Sequence, residues 1–441
     1  MPARTPLSLR QVVHVWLPLA GSWLLMGLEL PAVSAFMARL PQPTVSLAAY
    51  GGVVFPSALL IESPILMLLA ASTALARDEA SYRLVRRFMW SAGLCLFAFH
   101  ALLAFSPLFD VLAGTLLGVP PEVREPARIG LRIMLPWSLS IAYRRTQQGV
   151  LIRFGGARAV TIGTAVRLGT NVSVLTLGLW HGGIPGIIVG TTAVACGVVA
   201  EAIYAGIAVR PVLRGALREA PAVSPALTMP AFLHFYLPLM VTPLINFLAM
   251  PVSAAAMSRM PLALGSLAAW PALSGATFTL RSLGFAYNEV VVSQLDAYRP
   301  VAALRRFAWI LGLSTGALLL VAAATPLGGM WFRDVAALPA ETRGIATLAL
   351  WLLVLSPTFS ALQSWYQGAL VHSRRTHAIT ESVAALLVTT AIVLGTGVIS
   401  QRQPGLYFAA AGLTLGIGTQ VAWLSLRSRP AIAQVLARDA G

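Results

Sequence analysis

The sequence predicts an all-α polytopic membrane protein, with twelve transmembrane helices built as two parallel-repeat six-helix bundles around a central cleft. Three observations carry this reading. Of 441 residues, 57% are hydrophobic and only 10% charged, whereas a soluble domain carries about 25% charged residues. The charges fall between apolar runs long enough to cross the hydrocarbon, which takes roughly 20 helical residues. The second half of the chain also repeats the first. Soluble enzyme classes drop out.

Hydropathy places the spans at 12–34, 45–73, 88–106, 127–151, 158–179, 184–209, 232–256, 265–293, 304–325, 345–370, 378–399 and 405–426. In lipid only a helix satisfies its backbone within one segment, so all are expected to be helical. Pro18, Pro56, Pro64, Pro136, Pro238, Pro243 and Pro271 should kink their helices rather than break them. Arg4 and Arg10 precede an apolar run too long for a signal-peptide core, which reads as the first span. Cys95 and Cys196 lie inside apolar runs without a CxxC partner, so neither a disulfide framework nor a metal site is supported.

The net charge is +16, and every basic residue other than the six histidines is an arginine. The arginines gather at the termini and in the even-numbered loops, for example Arg77, Arg83, Arg86, Arg87, Arg153, Arg158, Arg210, Arg214, Arg374 and Arg375. The odd-numbered loops hold few, such as Arg39, Arg124 and Arg259. This is topogenic charge rather than a nucleic-acid surface. It puts both termini in the cytoplasm of a bacterial inner membrane.

The repeat is read from ordered matches. His14-Val15-Trp16-Leu17-Pro18-Leu19 returns as His234-Phe235-Tyr236-Leu237-Pro238-Leu239. Pro31–Pro41 returns as Pro251–Pro261, Arg86-Arg87-Phe88 as Arg305-Arg306-Phe307, and Gln148-Gly149 as Gln367-Gly368. Six spans per unit return the chain to its starting side, so both units insert in the same sense. The expected division is an N-terminal bundle over 1–209, a cytoplasmic linker over 210–231 and a C-terminal bundle over 232–441. Duplicated bundles flanking a cleft are the design of an alternating-access transporter.

Ionisable groups inside the bilayer cost roughly 2.5–3.5 kcal/mol each and face a cavity or a partner. Glu62 and Arg281 lie near the middle of spans 2 and 8 at equivalent repeat positions. They read either as an acid for ion coupling opposite a base for an anion, or as a structural ion pair. Ser274, Thr277, Arg281 and Asn288 recur at helical spacing on span 8 and suggest a polar face. Arg144, Arg145 and Gln148 on span 4, Arg167 and Asn171 on span 5, and Asn246 on span 7 complete the substrate-binding candidates. Glu29 joins Glu62 as a candidate coupling acid. Glu201 and Glu381 lie close to cytoplasmic ends and are read as snorkelling or pairing with loop arginines. No phosphate-cradling loop with its Lys and Ser/Thr is present, so any transport is secondary; no catalytic residue, metal or cofactor is expected.

The opening LPLAGSWLLMGLELPAVSAFMARLP resembles the first helix of the multidrug/oligosaccharidyl-lipid/polysaccharide flippase superfamily, which includes the multidrug and toxin extrusion (MATE) transporters. Within it, Gln147–Leu168, Leu237–Met260 and Trp270–Val290 look most like the progressive ankylosis family and its bacterial relatives. The chain lacks the long polar C-terminal tail of the animal members. The resemblance implies spans 1, 2, 7 and 8 lining a cleft, and export driven by ion exchange or the membrane potential. It also implies a small-molecule anion or amphiphile as cargo; the partners expected are the lipid bilayer and a proton or sodium ion for coupling, and a monomer is expected although the sequence does not set the oligomeric state. Five in-span arginines favour an organic or phosphate-bearing anion. Five in-span acids keep open a proton- or sodium-coupled multidrug exporter, or a flippase of a lipid-linked precursor.

Overall fold

The computed structural model describes residues 6–373, 375 and 377–440; the topogenic Arg4 and Arg374 lie outside them. Helical segments stand at all twelve expected positions among the described residues: α1 (Leu9–Met37), α2 (Pro43–Leu75), α3 (Glu79–Phe105), α4 in two pieces (Pro121–Ile133 and Pro136–Arg153), α5 (Ala157–His181), α6 (Gly186–Ala208), α7 (Met229–Ser258), α8 (Ala263–Gln294), α9 (Pro300–Ala324), α10 in two pieces (Ala340–Leu353 and Ser356–His372), α11 (His377–Ser400) and α12 (Gly405–Ala440). Ten of these segments are long and apolar enough to cross a membrane. The two outside that set are α4 and α8. They carry Arg144, Arg145, Gln147 and Gln148, and Arg281 and Asn288 respectively, so polarity is concentrated where the sequence places its candidates.

Not every proline only kinks its helix. Pro18 in α1, Pro238 and Pro243 in α7, and Pro271 in α8 sit inside continuous helix. Pro64 instead falls in a 3-10 turn, Ser63–Ile65, that interrupts α2 directly after Glu62. Pro136 opens the second piece of α4 after a break at Met134–Leu135. The ring removes an amide donor and clashes one turn back; near the first turn of a new helix neither effect matters.

The repeat extends to backbone detail. Left-handed residues recur in register: Gln42 (φ 56°) with Leu262 (φ 55°), Gly118 (φ 63°) with Ala337 (φ 50°), and Gly182 (φ 71°) with Gln401 (φ 51°). The Gly186 amide donates to the Pro41 carbonyl at 3.2 Å, and the Gly405 amide to Pro261 at 3.4 Å. Arg124 Nε–H donates to the Val119 carbonyl and Arg343 Nε–H to Leu338, at 3.3 and 2.7 Å. At two of these positions, Ala337 and Gln401, the second half carries a residue with a Cβ where the first half has glycine. A left-handed L-residue costs about 1–2 kcal/mol, so Ala337→Gly should raise the thermal midpoint in detergent and Gly118→Ala should lower it. Unchanged midpoints in both variants would reject the strain argument.

Two compact units divide the chain: one takes the residues up to Ala35 and from Ala256 on, the other Phe36–Ala255. This division is not the one drawn at the 210–231 linker, because α1 and most of α7 each pack with elements of the other sequence half. In the first unit Trp16 Nε1–H donates to the Leu283 carbonyl of α8 at 3.0 Å. Its ring also meets Phe307 of α9 edge-on, with centroids 5.5 Å apart. In the second unit the Tyr236 hydroxyl of α7 donates to the Pro64 carbonyl of α2, and its ring lies 5.1 Å from Phe88 of α3. Trp16, Leu283 and Phe307 correspond by the repeat to Tyr236, Pro64 and Phe88, so the exchange of first helices is itself repeated.

Residues 210–214 and 216–219 of the linker are helical. Asp78 caps α3 by accepting from the Ser81 amide, and its other oxygen accepts from the Val223 amide, both at 2.8 Å. The Ser81 hydrogen bonds, with Val223 adding to them, hold this carboxyl below the usual carboxylate range. The end of the linker is thereby tied to the start of α3.

Candidate functional site

In the Phe36–Ala255 unit the candidates converge on a residue the sequence reading left aside. Glu201 of α6 is fully buried. Arg144 Nη1 lies 2.6 Å from its Oε2, Arg167 Nε lies 3.4 Å from the same oxygen, and Gln148 Nε2 donates to Oε1 at 2.9 Å. Glu201 therefore pairs with in-span arginines of α4 and α5 rather than with a loop. Two glycines allow the approach. A Cβ at Gly163 of α5 would meet Glu201 Cγ at 3.4 Å, and one at Gly197 of α6 would strike the buried Asn171 side chain.

Glu62 is buried at the end of a helical piece of α2, just before the 3-10 turn. Trp137 Nε1–H of α4 donates to its Oε2; the sequence reading did not single out this tryptophan. The second piece of α4 is fixed against α2 by Ser72, whose hydroxyl donates to the Thr146 carbonyl at 2.9 Å. On α3, the Tyr82 hydroxyl donates to Gln147 Oε1 at 3.2 Å. These contacts set the direction of the residue just before them on α4.

That residue is Arg145. It is half-buried and makes no hydrogen bond or ion pair among the described residues, and its Nε is shielded from solvent without an acceptor. The acids whose charge it feels, Glu62 and Glu201, already serve Trp137, Arg144 and Arg167. Three arginines against two glutamates leave the cluster one positive charge in excess, and Arg145 is the one of the three that no carboxylate holds at ion-pair distance among the described residues.

The other unit supplies an internal control. In the register set by Gln148-Gly149 and Gln367-Gly368, Arg144, Arg145, Arg167 and Glu201 correspond to Gln363, Ser364, Leu386 and Gln420. The same helices in the same fold are thus packed without those charges. Only the position of Glu62 stays ionisable, as Arg281. Its Nε–H donates to Ser360 Oγ at 2.8 Å, and its guanidinium lies 5.3 Å from the Phe285 ring centroid.

The remaining candidates on α8 serve its packing. Ser274 and Thr277 return their hydroxyls to carbonyls one turn back, at 2.6 and 2.9 Å, and Thr277 is fully buried. Asn288 Nδ2 donates to the Ser364 carbonyl at 3.3 Å. Asn246 is exposed on α7 and Glu29 is half-buried on α1. Glu381, read as snorkelling or pairing with a loop arginine, makes a partly exposed pair with Arg427, Nη2 to Oε2 at 2.6 Å. Among the described residues no group of three His, Cys, Asp or Glu could hold a metal ion.

No family model matches the chain, and no curated protein does. Solved structures do match. An inward-facing multidrug resistance MATE family transporter superposes with a TM-score of 0.71 at 14% identity, over 96% of this chain and 99% of that one. The lipid II flippase MurJ in an inward closed conformation gives 0.72 at 14% identity, over 96% and 92%. A MOP superfamily transporter from Pyrococcus furiosus, described as having a binding pocket of reversed polarity, gives 0.60 at 15% identity, over 95% and 96%. At these identities the likeness is one of fold, and the chain has the fold of the multidrug/oligosaccharidyl-lipid/polysaccharide superfamily of transporters and flippases.

Proposed function

We propose that the chain is a secondary active transporter working by alternating access, and that it exports an organic or phosphate-bearing anion across a bacterial inner membrane. The observation that carries the reading is Arg145, an intramembrane cation with no hydrogen bond or ion pair among the described residues, in a unit whose repeat twin does without charge at the same position. A fold that packs Ser364 there has no structural need of an arginine. An unpaired guanidinium is suited to a carboxylate or phosphate, which it can meet with two parallel hydrogen bonds. The structural relatives support transport by their fold, and the Pyrococcus furiosus protein, whose reversed pocket polarity is described as suggesting a different function, shows that the fold is not tied to multidrug transport. The finer likeness to the progressive ankylosis family, and termini in the cytoplasm, rest on the sequence.

Glu62 favours a second element, ion coupling. A carboxyl held by an indole at a helix interruption can exchange a proton or sodium ion as the helix rearranges. Purified protein in proteoliposomes should take up citrate, nucleoside triphosphate or pyrophosphate in response to an imposed proton or sodium gradient. Uptake of a cationic dye with none of the anions would transfer the protein to the multidrug reading. Scrambling of a pyrophosphate-linked lipid alone would transfer it to the flippase reading.

A further inference from the structure

On a different side of α4 and α6 from the Glu201 cluster lies a groove shared with α3, about 410 Å3 in volume. Its apolar wall includes Leu139, Val199 and Ala202. It opens past Trp90, Ile203 and Ile207, which are 42%, 59% and 54% exposed. Large apolar side chains lining an open groove on membrane-spanning helices suit hydrocarbon, not water. The groove ends at Arg210, exposed just past α6 and without an acidic partner among the described residues. Arg86 and Arg87 precede Trp90 on α3 by about one turn.

Two polar groups inside the groove also lack partners. The hydroxyls of Ser140 and Tyr143 line it, and neither has a hydrogen bond among the described residues. Tyr143 packs its ring on Trp90, with centroids 6.0 Å apart. Gly206 gives its hydroxyl room, since a Cβ there would lie 2.6 Å from Tyr143 Oη. Paired Trp and Tyr rings mark the level where tails give way to headgroups. Basic pockets between transmembrane helices on the cytoplasmic side recognise anionic headgroups.

We infer that this groove holds one anionic phospholipid, with an acyl chain against Trp90, Ile203 and Ile207, the ester region at Ser140 and Tyr143, and the phosphate on Arg210. The site is separate from the Arg145 cluster and does not depend on what is transported. The test uses the full chain in detergent, delipidated and then titrated with phosphatidylglycerol or phosphatidylcholine of matched chains. Native mass spectrometry reads the bound lipid, and thermal unfolding reads its effect. The wild-type chain should retain phosphatidylglycerol at least fivefold better than phosphatidylcholine. Arg210→Gln should bring the two to the same level, and Ile203→Trp, which fills the groove, should lower both. Arg158→Gln, at an exposed arginine outside the groove, should change nothing. Equal retention of the two lipids by the wild type would overturn the inference. So would an equal loss in Arg158→Gln and Arg210→Gln, which would reduce the effect to general surface charge. Arg210 is exposed, so folding of its variant is not at issue; unfolding stabilised equally by inorganic phosphate alone would also count against a lipid.

Discussion

Arg145→Gln should raise the half-saturating anion concentration ten- to a hundredfold in proteoliposome uptake while leaving the protein as stable as the wild type. The two halves of this expectation have separate physical causes. A hydrogen bond to a charged group contributes about 1.5–3 kcal/mol, and each 1.4 kcal/mol is roughly a factor of ten in affinity. Stability should change little because the guanidinium makes no hydrogen bond or ion pair among the described residues and feels Glu62 and Glu201 only at longer range. Removing a charge that costs roughly 2.5–3.5 kcal/mol to insert offsets the attraction of Glu62 and Glu201 that is lost with it. Arg145→Lys should keep part of the uptake, since it preserves the charge and loses the planar fork. A structural arginine would behave in the opposite way, lowering the thermal midpoint and the yield together. Wild-type uptake by Arg145→Gln would remove it from the mechanism and move the assignment to Arg281, which donates to Ser360 rather than to an acid.

The helices were legible because hydropathy and the lipid constraint leave one solution per apolar run. The polar pieces α4 and α8 stood out for the same reason in reverse. The repeat was legible too, and it extended further than the matched residues suggest, to the turns at Gln42 and Leu262 and the arginine contacts at Arg124 and Arg343. What sequence order could not convey is packing. Nothing in the strings around Trp16 and Tyr236 says that each helix lies on elements of the other sequence half, because a repeat relates the halves without fixing which neighbour a helix chooses. The interruption after Glu62 needed the position of Pro64 relative to a new helical turn, not only its presence.

The central role of Glu201 was missed for a similar reason. Its place near the end of α6 suggested snorkelling, whereas the close approach of α5 at Gly163 and Gly197 closes it off from the interface. One signal was available in the sequence. Aligning the halves on Gln148-Gly149 and Gln367-Gly368 sets Arg144 and Glu201 opposite Gln363 and Gln420. Two opposite charges that are replaced together by two amides suggest a pair.

The same correspondence supplies the strongest stability prediction. Glu201→Gln alone leaves Arg144 buried beside a neutral amide and removes the carboxylate that Arg167 shares. Removing one partner of a buried pair costs about 3–5 kcal/mol, comparable to a large part of the stability of a typical domain. Yield and thermal midpoint in detergent should fall sharply. Arg144→Gln combined with Glu201→Gln gives these positions the glutamines they hold in the sister unit, where Gln420 is buried and donates to Ser382. That double variant should recover most of the lost midpoint, because it strands no charge at Arg144 and the sister unit holds glutamines at both positions. Recovery of folding with anion uptake still depressed would show that the carboxylate holds α4 and α5 in the arrangement that presents Arg145. A double variant as unstable as the single one would mean that the two units do not pack these helices interchangeably, and the comparison that singles out Arg145 would fail with it.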